Sequence, residues 1–288
     1  MANLTIGVPV KNGEKYLKNL FASIQEQSYS DYTIIISDNA STDDTSEICM
    51  NQAIKDPKIK YYRQSSDIGV AKNFDFVLSL AVSEYFTWWA VDDLRSPDNF
   101  LINVEFLNVN DSFVGSGSAF RFDTDGMDVL RNLNACDDKP ADRVLKIVEN
   151  FNDTSGLSFS IFRTSLLKEF RPPFFEGNYY ANDISRLIFL LIKYKINTFP
   201  SKGVLTIEAS GISNSMNPFS KYRHSRIEIF LPYYYVSLYI MSIVNFDFNI
   251  KLKILINLLK INLFALKMNL VRGIISELII LKKVFLCI

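Results

Sequence analysis

The sequence predicts an α/β protein: a mainly parallel central sheet with helices on both faces, continued by a helical C-terminal extension. Three observations carry that prediction. Short apolar runs alternate with segments of helical periodicity through the first hundred residues, the pattern of βαβ units wound right-handed around a parallel sheet. An aromatic run, EYFTWWAVDDLRSP from Glu84 to Pro97, ends abruptly in two adjacent carboxylates. From Ile227 onward the composition shifts to Ile, Leu, Phe, Tyr and Val with spaced lysines. The expected division is 1–222 for the α/β domain and 223–288 for the extension.

Leu4 to Val8 reads as a buried strand leading into Pro9-Val10-Lys11-Asn12-Gly13, after which Tyr16, Leu17, Leu20, Phe21 and Ile24 recur at helical spacing. Tyr32 to Ser37 is a second strand. It delivers the polar loop Asp38 to Asp44, whose end caps a helix through Ile48 and Cys49, with Asp44 read as a cap. Ile59 to Arg63 is a third strand, Asp67-Ile68-Gly69 a turn, and Val70 to Val82 a helix with Phe74, Val77, Leu78 and Ala81 inward. Tyr85 to Val91 is mostly aromatic or β-branched and reads as a buried central strand. Ser96 as N-cap and Pro97 in the first turn open the next helix, to about Leu107. Val114 to Phe122 is a glycine-interrupted strand, Asp123 to Ala141 a turn-rich loop, Gly156 to Phe162 a strand and Thr164 to Glu169 a short helix. Ala181 to Tyr194 reads as a helix capped by Asn182, which leaves Asp183 at the positive end of the dipole, and Lys195 to Ile207 is a final strand.

Composition removes several function classes. Lys plus Arg and Asp plus Glu both number 31, so no strong field favours nucleic acid. Cys49, Cys136 and Cys287 are few, odd in number and far apart, which suggests a reduced compartment and no metal cluster. A single histidine, His224, cannot build a zinc site or a Ser-His-Asp triad by itself. Neither G-x-G-x-x-G after the first strand nor G-x-x-x-x-G-K-[ST] occurs. The first ten residues contain Pro9 and read as a strand, not a secretory signal, so a cytoplasmic location is expected. In the extension, Lys253, Lys260 and Lys267 are spaced seven apart and form one stripe on an otherwise apolar helix. Two readings stand: helices that close the core, or a basic amphipathic hairpin on an anionic membrane surface. Glu228 and Pro232 argue against a membrane span over Ile227 to Val244.

Asp92 and Asp93 sit where an open parallel sheet binds ligands, at the carboxyl end of a strand. They suit a divalent cation and the anion it bridges; the alternative is a pair of turn formers. Trp88 and Trp89 read as core residues, while Phe174, Phe175, Tyr179 and Tyr180 invite a sugar-stacking role, with acceptor contact for Tyr179 and Tyr180.

Three stretches, TIGVPVKNGEKYLKNLFASIQEQSYSDYTIIISDNASTDDT, SDIGVAKNFDFVLSLAVSEYFTWWAVDDLRSPDNFL and GLSFSIFRTSLL with NDISRLIFLL, resemble the family 2 inverting glycosyltransferases with the GT-A fold, over roughly residues 1 to 210. The resemblance implies a nucleotide-sugar-binding α/β fold. It also implies transfer of a sugar from a UDP- or dTDP-sugar to a glycan or lipid-linked acceptor in surface polysaccharide or lipopolysaccharide synthesis. Residue by residue, it places Pro9 and Asp38 at the nucleobase, Gly69, Lys72 and Asn73 along the diphosphate and ribose, Asp92 at the donor's ribose or sugar, Asp93 at a Mn²⁺ or Mg²⁺ ion and Asp183 as catalytic base. The chain departs from the family in Val91 at the first Asp of D-x-D, in Asn182 where Glu usually precedes the base, and in LTIEASGISNS, which lacks the usual His and Arg. Lys202, Lys221, Arg223 and His224 are candidate substitutes for those two. Val91 and Asn182 also motivate a second expectation, a glycan-binding subunit without chemistry. A third, a sugar-phosphate nucleotidyltransferase, needs a glycine-rich basic loop that VPVKNG supplies poorly.

Overall fold

The computed structural model describes residues 3–123, 129–173, 181–208 and 231–285. The first half is a strict alternation: β1 (Leu4–Val10), α1 (Glu14–Gln25), β2 (Tyr32–Asp38), α2 (Thr45–Lys55), β3 (Ile59–Arg63), α3 (Val70–Ser79) and β4 (Tyr85–Trp88). There follow β5 (Leu94–Arg95), α4 (Asn99–Asn108), β6 (Phe113–Ser118), β7 (Phe120–Asp123), α5 (Pro140–Glu149), α6 (Ser155–Ser158), β8 (Ile161–Arg163), α7 (Thr164–Leu167), α8 (Asn182–Lys193), β9 (Lys195–Phe199) and β10 (Leu205–Glu208). Two C-terminal helices close the chain, α9 (Tyr234–Ile243) and α10 (Phe248–Phe285).

The main sheet runs β3-β2-β1-β4-β8-β6-β9. Strands β1 to β4 are parallel, and β8 alone runs against its neighbours β4 and β6. Every residue of β1 is buried, because helices cover both faces and both must be apolar. The sheet divides the interior in two. On one face Ile6, Val8, Leu17, Leu20, Trp89 and Phe100 pack together; on the other, Val77, Phe86, Trp88, Phe162, Leu187 and Leu191 do. Each such side chain, taken from water to full burial, contributes about 1.5–3 kcal/mol as an upper estimate. Gly7 permits the close approach of α3 and β4, since a Cβ there would lie 2.7 Å from the Phe86 ring and 2.8 Å from Val77.

Several expected boundaries are corrected. The central strand stops at Trp88, not Val91: Trp89 N still donates to Gly7 O, but Asp93 N bonds back to Ala90 O at 3.1 Å and closes a turn. Leu94 and Arg95 then pair antiparallel with β10. Ser96 is therefore held by Val204 O in the small sheet β5-β10-β7 and does not cap; Asp98 occupies the cap position and α4 starts at Asn99. Within Gly156 to Phe162 only Ile161 and Phe162 are strand, since Leu157 and Ser158 donate to Thr154 O and form a helical turn. Lys195 to Ile207 is two strands, broken where the chain crosses from one sheet to the other through Gly203 at φ +64°. Helix α5 takes up the last two residues of the expected loop and runs on through 142–149, where no element was expected; Pro140 starts it, and Val144, Ile147 and Val148 are its buried stripe.

The extension packs as well as exposes. Val236, Ile240, Val244, Ile254 and Leu258 join the same core as α5 and α8. On the outer side of α10, Leu252, Leu255, Ile256, Leu259 and Leu263 are exposed, with Lys253, Lys260 and Lys267 beside them. Among the described residues no helix is long and apolar enough to cross a membrane. The expected domain boundary at residue 222 lies outside the described residues.

Candidate active site

The parallel strands β1, β2, β3 and β4 deliver their carboxyl ends to one edge, the place where crossovers of this kind leave a crevice. Asp38, the last residue of β2, is fully buried there. Its Oδ1 accepts from Ser41 N at 2.8 Å, and its Oδ2 accepts from Tyr61 OH at 2.9 Å and Arg63 Nη1 at 2.8 Å. Pro9 pairs in register with Ser37. Ser37 Oγ donates to Asn73 Oδ1 at 2.6 Å, and Asn73 Nδ2 returns a bond to Ser37 O at 3.0 Å, which ties β2 to α3. Asp67 knits the same edge: it receives Lys11 Nζ at 2.5 Å, Asn39 Nδ2 at 2.7 Å and Gly69 N at 2.9 Å. The Lys11 ammonium and these amide donors hold the Asp67 carboxyl below its ordinary range. Gly69 caps α3 at φ +86°, ψ 158°, backbone that a side chain would strain. Lys72 is exposed on the first turn of α3.

Asp92 and Asp93 occupy the turn after β4. A Cβ on Gly13 would fall 3.2 Å from Val91, so this turn rests on the turn after β1. Asp93 is buried to 4% exposure, and its carbonyl accepts from Trp89 Nε1 at 2.9 Å. Beneath it lies Arg95, which donates to Asn99 Oδ1, Trp88 O and Phe159 O and stacks on Trp89. Burial pushes the Arg95 guanidinium down to about 10, against the opposing pull of the Asp93 charge, so it stays cationic at neutral pH. Two hard oxygen donors on one turn suit Mg²⁺ or Mn²⁺, ions bound through one or two carboxylates with phosphate oxygens and water filling the remaining positions.

A cleft of about 210 Å³ opens from the start of α3, at Val70 and Ala71, passes Trp88 at the end of β4 and reaches Asn182 and Asp183 on α8. The Asp183 side chain is exposed at the mouth of this cleft, with protein packed around its carboxyl. That desolvation raises its carboxyl above the ordinary range, while the Ser158 hydroxyl at 3.2 Å, the Ile184 amide and the Arg186 charge oppose the shift. Arg186 Nη2 in turn meets Asp75 Oδ1 at 2.5 Å, and its guanidinium lies 4.7 Å from the Trp88 ring centroid. Ala181, in left-handed backbone at φ 60°, ψ 33°, is the N-cap in place of the expected Asn182: its carbonyl accepts from Ile184 N and Ser185 N. All three non-glycine residues with positive φ among those described, Asn12, Ala40 and Ala181, lie in loops of this edge and cleft, where strained backbone concentrates at functional sites.

The structure thus gathers Pro9, Asp38, Gly69 and Asn73 into one bonded edge, sets Asp92 and Asp93 on the adjoining turn and Asp183 across the cleft. Trp89 is core, as expected, whereas Trp88 is core and cleft wall together. The sequence reading missed Tyr61, Arg63, Asp67, Asp75 and Arg186. The DIG turn pointed to Asp67; the others come from elements distant in sequence. Phe174, Phe175, Tyr179, Tyr180, Lys221, Arg223 and His224 lie outside the described residues, and Lys202 is exposed on the turn between β9 and β10.

Residues 5–169 match the family model described as Glycosyl transferase family 2. The chain is 28% identical over 120 residues to Glycosyltransferase GlyG of Streptococcus pneumoniae, a match covering 42% of this chain and 40% of that protein. It is 35% identical over 94 residues to the GalNAc(5)-diNAcBac-PP-undecaprenol beta-1,3-glucosyltransferase of Campylobacter jejuni, covering 32% and 30%. Both matches thus span less than half of the relative's own length. The crystal structure of Staphylococcus aureus TarS 1-349 in complex with UDP-GlcNAc aligns with a TM-score of 0.63 at 17% identity, over 89% of this chain and 71% of that one. At that identity the likeness is one of fold, and the fold is GT-A.

Proposed function

The chain belongs to glycosyl transferase family 2, and from that premise we propose that it moves a sugar, with inversion, from a uridine or thymidine diphosphate carrier to a hydroxyl of a glycan or lipid-linked acceptor in surface polysaccharide synthesis. The observation that carries this reading is the cleft joining the Gly69 end of α3 to an open carboxylate, Asp183, past the strand that ends in the Asp92-Asp93 turn. The UDP-GlcNAc in the TarS complex and the PP-undecaprenol in the Campylobacter relative's name support the donor and acceptor classes.

In this reading Pro9, Asp38, Gly69, Lys72, Asn73 and Asp92 border the nucleotide and ribose, and their cross-bonds hold that surface ready before the donor arrives. Asp93 would hold a Mn²⁺ or Mg²⁺ ion, which would supply positive charge to the departing diphosphate. Asp183 takes the proton of the acceptor hydroxyl as that oxygen bonds to the anomeric carbon and the bond from that carbon to the diphosphate oxygen breaks. One base on the face opposite the leaving group gives inversion. Its raised pKa suits the role, since a base nearer the operating pH transfers protons with more driving force. The exposed Leu and Ile stripe of α10, edged by lysines, supports peripheral binding to the cytoplasmic face of a membrane.

Release of nucleotide diphosphate by the full chain, measured over a panel of UDP- and dTDP-sugars with and without EDTA, tests the reading. We expect cation-dependent turnover that Asp93→Ala abolishes and a product of inverted anomeric configuration. Unchanged turnover in Asp93→Ala, or retention at the anomeric carbon, overturns it. Flotation with anionic vesicles tests the α10 surface; a chain that ignores them refutes that part alone.

A further inference from the structure

Among the described residues three charged side chains line the cleft: Asp75 on α3, and Asp183 and Arg186 on α8. Asp183 and Arg186 stand three apart on one helix, the spacing at which a carboxylate and a guanidinium are neighbours and ordinarily pair. Here the ion pair of Arg186 crosses to the other helix instead: its Nη2 meets Asp75 Oδ1 at 2.5 Å, joining residues 111 apart in sequence. Two aromatic rings complete the restraint. The guanidinium lies 4.7 Å from the Trp88 ring centroid and 5.2 Å from that of Phe170. Each ring is itself held, Trp88 by donating Nε1–H to Phe74 O at 3.0 Å, Phe170 by ring contacts with Phe189 and Tyr239.

Asp183 keeps a different neighbour, the Ser158 hydroxyl of α6 at 3.2 Å. The charges that face it from the surrounding elements are Arg186 on its own helix and, behind Arg186, Asp75 on α3; the other lining residues of β4, α6 and β8 carry none. We propose that Asp75 is a positioning residue for transfer: from α3 it holds Arg186 against Trp88 and off the Asp183 carboxylate, and so leaves that carboxylate free to accept a proton. This rests on Asp183 acting as the base. A carboxylate bonded directly to a guanidinium is a weaker base, its pKa lowered by about 1–3 units, and the oxygen due to receive the acceptor's proton is already occupied. At its present remove the Arg186 charge only opposes the rise that burial imposes on Asp183.

The test uses the full chain. In Asp75→Asn, Asp183 becomes the carboxylate left to Arg186 among the residues lining the cleft. We expect kcat/KM at neutral pH to fall about tenfold and its acidic limb to move to lower pH by about one unit. Asp75→Glu, which keeps the charge, should restore the wild-type limb, and Asp75→Asn combined with Arg186→Met should carry the limb above that of the wild type. A loss of activity in Asp75→Asn with the limb unmoved marks a weakened fold and overturns the proposal. Carbon-13 NMR of the aspartate carboxyls reads the same contact without turnover, the Asp183 signal being assigned by its absence in Asp183→Asn. That signal should titrate at lower pH in Asp75→Asn, and in Asp75→Ser, than in the wild type; equal titration overturns the proposal even where transfer continues. A lowered titration in a chain that transfers no sugar from any UDP- or dTDP-sugar would defeat the glycosyl-transfer reading and leave the hold of Asp75 on Arg186 standing.

Discussion

On the nucleotide side of the edge, Asp38 has three donors from its own chain, Asp67 has three more, and Asn73 spends both ends of its amide on Ser37. On the α8 side, Asp183 has one side-chain partner at 3.2 Å, and Asn182 Oδ1 and Arg186 Nε have none among the described residues. The first surface is closed by hydrogen bonds within the chain; the second has fewer of them. Closed networks rigidify, and unpaired groups raise the local cost of folding. Substitutions on the two sides should therefore fail differently, the first in stability and the second in turnover.

The strongest test is Asp183→Asn. Transfer should fall by about 10²–10⁴-fold with the loss of the base. Because the folded chain raises this carboxyl, the charged form is disfavoured above its pKa, so the neutral amide should unfold no lower at pH 8 than the wild type. That advantage should vanish at acid pH, below the ordinary carboxylate pKa, where both carboxyls are already protonated; calorimetry at two pH values reads it. A large fall in Tm would erase the contrast between the two sides. Next in size, Asp38→Ala should cost about 1–3 kcal/mol in urea unfolding, since it strands the Ser41 amide and removes the carboxylate that Tyr61 and Arg63 bond. A variant of full stability that fails only to bind nucleotide would make Asp38 behave like Asp183. Ser158→Ala sharpens the comparison more gently. It removes a bond that favours ionised Asp183, so the acidic limb of the kcat/KM profile should move to higher pH. Smallest of all, Lys11→Met removes a partly exposed ion pair and should change stability by about 1 kcal/mol or less.

The nucleotide half was legible in sequence because each crossover is local: an apolar run, a turn, an amphipathic stretch. The strand ending in Asp92 and Asp93 was found but drawn too long, since Ala90 and Val91 look like strand whether they pair or turn. Helix α5 was hidden behind a turn-rich segment, and the crossing between sheets at Gly203 lay inside what reads as one strand, Lys195 to Ile207. What the sequence withheld was mutual proximity. Nothing local to Arg63 names Asp38 as its partner, and nothing local to Asp75 names Arg186, because those pairs exist only once sheet order is set.

Two adjacent tryptophans stand where the central strand ends. Trp88 faces the half that holds the cleft and α8, Trp89 the half beneath α1 and α4, and the sheet stands between them. Substitutions around Trp88 can therefore reshape the cleft without disturbing the packing around Trp89, much as a lock is rekeyed without replacing the door.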